Sequence, residues 1–287
     1  MSPSALWASE TAESSGLRHF GAGERTATLR SRVTSRLIVL GGCGGWPEAG
    51  RACSGFVIEH DGFRAVLDLG YGTLPRLLDV LGSSVADGLD AAVITHEHAD
   101  HMVDLHGLFR ARWFGRRDGP RIPLFAPEPV LDRVVGLEDP EAADELKVVF
   151  DWNPLPAGRY EVGPFILESV ALPHHVLTAG VRLSAPGLTI AYTGDTGPDP
   201  ALVDLGRDAD LYIVDATRPT PQVPPAGQAR LLLSAAEAGE VATAAGARRL
   251  LLTHFWPDTD RSLARQAAQR GFRGDIYEAS EGVVIEL

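Results

Sequence analysis

The run Thr95-His96-Glu97-His98-Ala99-Asp100-His101 places three imidazoles and two carboxylates within seven residues. Side chains of these types at this spacing hold a metal ion. His96 and His98 are two apart, so in extended chain both face one side, whereas on a helix they would diverge. Imidazole combined with carboxylate suits zinc best and also admits manganese or iron. Solvated loop residues are the alternative reading, but clustering His96, His98, Asp100 and His101 is costly unless a cation compensates them. A small structural zinc site usually relies on cysteine, and none is near. The zinc-protease pattern HExxH is not met, because the residue four after His96 is Asp100.

Two elements must position this run. Residues 89–94 (LDAAVI) form a short apolar stretch ending in β-branched residues, which predicts a buried strand. From Asp100 to Arg112 the apolar residues recur three and four apart, which predicts a helix. Asp100 near its start is favoured by the helix dipole. A strand, a ligand-bearing turn and a helix N-terminus thus deliver the candidates to one small volume.

The segment His96-Glu97-His98-Ala99-Asp100-His101 resembles the HxHxDH signature of the metallo-β-lactamase fold superfamily. The resemblance implies a four-layer αββα sandwich over residues 34–287, with a site for two cations at one edge of its two sheets. Further motifs follow in the family's order. Val170-Ala171-Leu172-Pro173-His174-His175 precedes a second strand at residues 179–183, and the family's spacing favours His174 over His175 as ligand. Gly194-Asp195-Thr196-Gly197 follows the strand at 189–193 and matches the family's GDT; a carboxylate has two oxygens and can bridge, so Asp195 is the shared ligand. Leu250-Leu251-Leu252-Thr253-His254 supplies the last histidine. By resemblance, His96, His98 and His174 hold one ion, and Asp100, His101 and His254 the other.

The rest of the chain reads around that frame. Residues 35–40 predict a strand leading into Gly41-Gly42-Cys43-Gly44-Gly45, where backbone sterics near the metal site explain the glycines better than a phosphate loop. Strands at 55–60 and 63–68 are joined by Asp61-Gly62, a hairpin signal, with His60 expected on the surface. Asp68, in an Asp-x-Gly turn like that of the superfamily, either orients a ligand-bearing loop or caps the next helix. Arg110, Arg112, Arg116, Arg117 and Arg121 form the one dense basic patch, a solvated helix face or an attractor of anions. Residues 128–148 are expected to form helices or a lid that selects substrate. Cys43 and Cys53, the only cysteines, read as small apolar fillers or a redox pair.

Composition bounds the function. With 287 residues, 45% hydrophobic and 22% charged, the chain has the make-up of a soluble globular protein. No apolar run approaches membrane-spanning length, and the start lacks the order of a secretory signal, so a cytoplasmic location is expected. Residues 1–33, which include His19 and Phe20, have little apolar periodicity and predict a mobile arm. The net charge of −12 works against binding a long polyanion. The expected partner is a small, anionic substrate, with no long nucleic acid and no membrane; related proteins often pair, so a homodimer is expected.

Two metal ions, zinc first with manganese or iron possible, imply hydrolysis by a metal-bridging hydroxide, with Asp100 orienting the attacking water. The closest resemblance is to the ribonuclease Z-like and bacterial cyclic-nucleotide phosphodiesterase branch. It rests on Leu40-Gly41-Gly42, Ala52-Cys53-Ser54-Gly55, residues 192–198 (YTGDTGP), Asp215-Ala216-Thr217, residues 234–239 (SAAEAG) and Leu252-Thr253-His254-Phe255. Ser234 and Glu237 also make a capping box for a helix to Ala245. Two departures stand out. The branch usually carries a proton-donating histidine where this chain has Leu232, and a glutamate where it has Asp215. His175 is the candidate to replace the lost acid. The expected substrate is a small phosphodiester such as a cyclic nucleotide; the alternatives are a lactone, ester or thioester, or a metal-bound fold that binds without catalysing.

Overall fold

The computed structural model describes residues 34–139, 142–156 and 158–287. The arm expected over residues 1–33 lies outside the described residues. The first half runs β1 (Ser35–Gly41), β2 (Gly55–His60), β3 (Phe63–Leu67), α1 (Thr73–Leu81), β4 (Ala91–Val93), α2 (Ala99–Gly115), β5 (Ile122–Ala126), α3 (Glu128–Val135), α4 (Ala142–Val149) and β6 (Phe150–Pro154). The second runs β7 (Arg159–Val162), β8 (Phe165–Leu172), β9 (Thr178–Ala185), β10 (Leu188–Tyr192), α5 (Ala201–Leu205), β11 (Leu211–Asp215), α6 (Ala235–Ala244), β12 (Arg249–Thr253), α7 (Arg261–Gly271), β13 (Asp275–Glu278) and β14 (Val284–Glu286).

The strands form two seven-stranded sheets, ordered β14-β1-β2-β3-β4-β5-β6 and β13-β12-β11-β10-β9-β8-β7. Their layering follows from the period-2 geometry of a strand. In β1, Leu37 and Val39 face the second sheet, while Ile38 and Leu40 face the helices. In β11, Leu211 and Ile213 face inward, and Tyr212 and Val214 face α5, α6 and α7. Both faces of each sheet are covered, which is why these strands read as unbroken apolar runs. Each fully buried leucine or isoleucine stabilises the fold by roughly 2 kcal/mol before entropy is subtracted. The result is the four-layer αββα sandwich that the resemblance implies.

Topology fixes where chemistry can sit. Strands β3 to β6 run parallel, as do β10 to β13. The loops leaving the carboxyl ends of β4, β8, β10, β11 and β12 gather at one edge, where open α/β sheets characteristically place their sites.

Several details meet the expectations from the sequence, and His60 does not. The hairpin forms at Asp61-Gly62, whose φ values of 49° and 85° give its turn the left-handed backbone. His60, however, is buried, bonded through Nδ1 to the Ser35 hydroxyl at 2.7 Å and packed against Phe165. The pairing of β1 with β2 brings residue 35 opposite residue 60, a long-range contact that turn chemistry does not encode. Residues 128–148 contain α3 and α4, whose Val130, Val134, Leu146 and Val149 are built into the outer core. The arginine patch is largely self-paired: Arg110 with Glu138, Arg116 with Asp87, Arg121 with Asp151, Arg117 over the Trp113 ring, and Arg112 buried against the Pro120 carbonyl. The solvated-face reading fits it better than an anion attractor. Cys43 and Cys53 are both buried, free thiols.

Candidate metal centre

Each candidate ligand sits just past the end of a strand. His96 and His98 lie in the loop after β4, and His98 closes that loop as the N-cap of α2 in extended backbone. Asp100 and His101 form the first turn of α2. His174 follows β8, Asp195 follows β10 and His254 follows β12. His254 has φ of 60°, a costly conformation for a non-glycine residue that persists only where surroundings overdetermine it. Gly44 is part of those surroundings, since a Cβ there would meet the His254 ring at 2.6 Å.

The structure brings all seven expected ligands together in two groups. His96, His98, His174 and Asp195 form one; Asp100, His101, Asp195 and His254 form the other. Within each group the ligand atoms lie within 4.8 Å of one another. Asp195 is common to both, with Oδ2 3.0 Å from His254 Nε2 and 3.6 Å from His174 Nε2, and Oδ1 3.1 Å from His101 Nε2.

Hydrogen bonds on the far side of each ring settle which nitrogen faces the centre. The Thr95 hydroxyl donates to Asp68 at 2.9 Å, so it accepts from His96 Nδ1 at 3.0 Å. His174 Nδ1 donates to the Leu231 carbonyl at 2.9 Å. The Thr217 hydroxyl donates to Asp215 at 2.7 Å and accepts from His254 Nδ1 at 2.9 Å. His101 Nδ1 donates to Asp68 at 2.7 Å. Four rings are thereby held with Nε2 inward, the outer-shell device that raises a ligand's basicity and fixes its tautomer. His98 turns Nδ1 inward, 3.1 Å from both His96 Nε2 and His174 Nε2.

Asp68 anchors this shell. Its carboxylate is wholly buried and accepts from the Thr95 amide, the Thr95 hydroxyl, His101 and the Tyr192 hydroxyl, at 2.7 to 2.9 Å. It adopts φ of 57°. Gly72, and not Asp68, caps α1, so the orienting role is the one the geometry supports.

The donor set fits a divalent cation. His101 Nε2 and Asp195 Oδ1 are buried with no hydrogen-bond partner although only 3.1 Å apart. Such orphaned groups are rare unless something outside the protein satisfies them. Burial and neighbouring rings hold the pKa of His96 well below its ordinary value, and burial also lowers those of His98 and His174. These three are neutral at pH 7, as ligands must be. For His101 and His254, burial opposes the charge, but the carboxylates of Asp195 and Asp100 overrule it and raise both pKa values well above the ordinary imidazole range. Asp100 and Asp195 are held ionised by those same imidazoles, against the opposing effect of burial. Protons on His101 and His254 thus stand where positive charge is wanted.

The other expected site residues fall elsewhere. His175 is exposed, its ring 5.2 Å from His174 and 6.5 Å from His98, on the wall of a cleft of about 600 Å³. That wall continues through Thr217, Arg218, Leu231, Leu232 and Trp256. Asp215 is wholly buried; besides the Thr217 hydroxyl it accepts from the Thr217 and Leu233 amides, and it stands 3.5 Å behind His254 Nδ1. It touches a ligand and not the cleft. The hydroxyls of Thr95, Thr217 and Tyr192 and the Gly45 amide, which donates to Asp100 at 2.6 Å, were not anticipated. The one signal for them was a threonine immediately before His96 and another two residues after Asp215.

A two-sheet sandwich carrying histidines and aspartates at the carboxyl ends of its strands defines a metallo-hydrolase of the metallo-β-lactamase fold. Residues 64–255 match the beta-lactamase superfamily domain, and the chain belongs to that family. An uncharacterised protein of Mycobacterium leprae is 31% identical, covering 94% of this chain and 93% of its own length. The probable metallo-hydrolase YhfI of Bacillus subtilis is 28% identical over 88% of this chain and 99% of its own. Its crystal structure superposes with a TM-score of 0.77 at 25% identity, spanning 88% of this chain and all of that one (100%). A ribonuclease Z of Kineococcus radiotolerans is 29% identical over 88% of this chain and 95% of its own.

Proposed function

We propose that this metallo-hydrolase holds two zinc ions and cleaves small phosphodiesters, a cyclic nucleotide being the type of substrate. The observation that carries the reading is Asp195, whose carboxylate belongs to both ligand groups. His96, His98 and His174 would hold one ion, and Asp100, His101 and His254 the other. When bound, a pair of such cations supplies Lewis acidity and a nucleophile from water near neutral pH. The chain's residues do the rest. Asp100 orients the attacking water. His175, exposed on the cleft wall beside His174, gives a proton to the leaving oxygen in place of the histidine absent at Leu232. Asp215 positions His254 from behind, directly and through Thr217.

Two features support an anionic substrate. Arg218 lines the cleft with no carboxylate partner among the described residues. The similarity to a ribonuclease Z, whose name denotes a phosphodiester substrate, points the same way. The net charge of −12 favours a small molecule over a polymer. The second reading is a lactone, ester or thioester, favoured by the apolar wall of Leu231, Leu232 and Leu233.

The deciding assay sets zinc-loaded protein against bis(p-nitrophenyl) phosphate and a panel of lactones and thioesters. Phosphodiester turnover with an inert panel is expected; the reverse pattern overturns the reading. His175→Ala should lower turnover of an alkyl-leaving phosphodiester by about 10² to 10⁴ while sparing the nitrophenyl ester, whose leaving group needs no proton. Equal losses on both would remove His175 from that role.

A further inference from the structure

The indole of Trp256 lies on the cleft wall beneath the Arg218 guanidinium, whose central carbon is 4.7 Å from the ring centroid. Trp46 continues the surface, its ring centroid 6.0 Å away and tilted 51°, with 52% of the residue exposed. Neither the ligand set nor the proton donor uses these three residues. Each is nevertheless tied to the metal centre through its chain neighbours. Trp46 follows Gly45, whose amide bonds Asp100; Arg218 follows Thr217, whose hydroxyl bonds His254; Trp256 is two residues past His254. The three therefore stand at a fixed distance from the group that holds Asp100, His101 and His254.

Trp256, half-buried, lies against an arginine that has no carboxylate partner among the described residues, and the exposed Trp46 extends its apolar surface. The pair presents flat π surface and a planar cation together. Nucleobases are bound in this way, stacked on aromatic rings and on guanidinium planes, and an aliphatic acyl chain has no use for it. Resting on the phosphodiester reading above, we infer that Trp46, Trp256 and Arg218 form a shelf that holds the base of a nucleotide substrate. The phosphate then reaches the metal ligands, and the shelf selects nucleotides from among small phosphodiesters.

The shelf is tested by comparing 3′,5′-cyclic AMP with glycerol 1,2-cyclic phosphate, a cyclic phosphodiester that lacks a base. The wild type is expected to show a lower KM for the nucleotide. Trp256→Leu and Arg218→Gln should raise that KM by about 5- to 100-fold with kcat little changed, the range that stacking losses produce. The base-free ester should be unaffected in Trp256→Leu, Arg218→Gln should weaken the nucleotide more than that ester, and Trp256→Phe should restore most of the loss. Trp46→Leu, at an exposed position, gives a smaller change in the same direction without risk to folding. Equal KM values for the two esters in the wild type, or variants that weaken both alike, would overturn the shelf while leaving phosphodiester hydrolysis standing. If no phosphodiester is turned over, the reading of the reaction fails, and the shelf is judged by tryptophan fluorescence. Quenching by adenosine 5′-monophosphate but not by ribose 5-phosphate, lost in Arg218→Gln, supports it; no difference between the two ligands overturns it.

Discussion

In the proposed centre Asp195 would hold the ions, while Asp68 holds the side chains around them. Asp195→Asn keeps the side chain's size but removes the charge that serves both groups, so elemental analysis of a folded variant is expected to find at least one ion lost and turnover abolished. Asp68→Asn leaves every ligand in place and loosens His101 and the Thr95 loop; a loss of about 10- to 100-fold in metal affinity is expected. Protons compete for the same site. His101 and His254 have raised pKa values in the metal-free fold, so they carry protons at and above pH 6.5 that a cation must displace. Metal affinity should therefore climb with pH through and beyond that point, with protons released on binding. Calorimetry at pH 7 in buffers of different ionisation enthalpy measures the release, and a heat independent of buffer would contradict it. At this scale the sequence was unusually legible, because histidines and aspartates at ligand spacing have few other reasons to cluster. The threonines were not legible, since a hydroxyl is at home in any strand or turn. His60 was misjudged because its neighbours in sequence form a turn while its partner in space is Ser35.

Among the elements, α6 shows local chemistry that stands without tertiary context. Ser234 accepts from the Glu237 amide and Glu237 reaches back to the Ser234 amide, the reciprocal pair the sequence suggested. Ser234→Ala is expected to lower stability by about 1 kcal/mol in urea denaturation at an unchanged m value. The loop from β1 behaves differently. Gly44→Ala would drive a methyl group into the His254 ring, so metal content should fall before global stability does. Retention of full metal content in that variant would show that the loop can yield. Strands β1, β2, β3, β9 and β10 were readable because apolar runs bounded by turn residues have one plausible geometry. The cleft wall between Thr217 and Ser234 was not. It is rich in proline and polar residues and is almost without regular structure, so no periodicity marked it, and substrate selection was sought instead in α3 and α4.

Over the whole molecule, a charge of −12 opposes approach of any long polyanion. Binding of transfer RNA should be undetectable by gel shift at physiological salt, and a tight complex there would contradict the small-substrate proposal. A homodimer, proposed on the habit of related proteins, is checked by sedimentation velocity. The candidate ligand set spans both sheets: His96, His98, Asp100 and His101 hang from the β4 side, while His174, Asp195 and His254 hang from β8, β10 and β12 of the other. Bound ions would act as rivets through the seam between the two halves. Stripping them with a chelator leaves buried carboxylates and imidazoles facing one another across that seam, which should lower the melting temperature and hasten proteolysis. A cell short of the metal would then carry less of this protein as well as less active protein, its supply and its lifespan drawn from the same source.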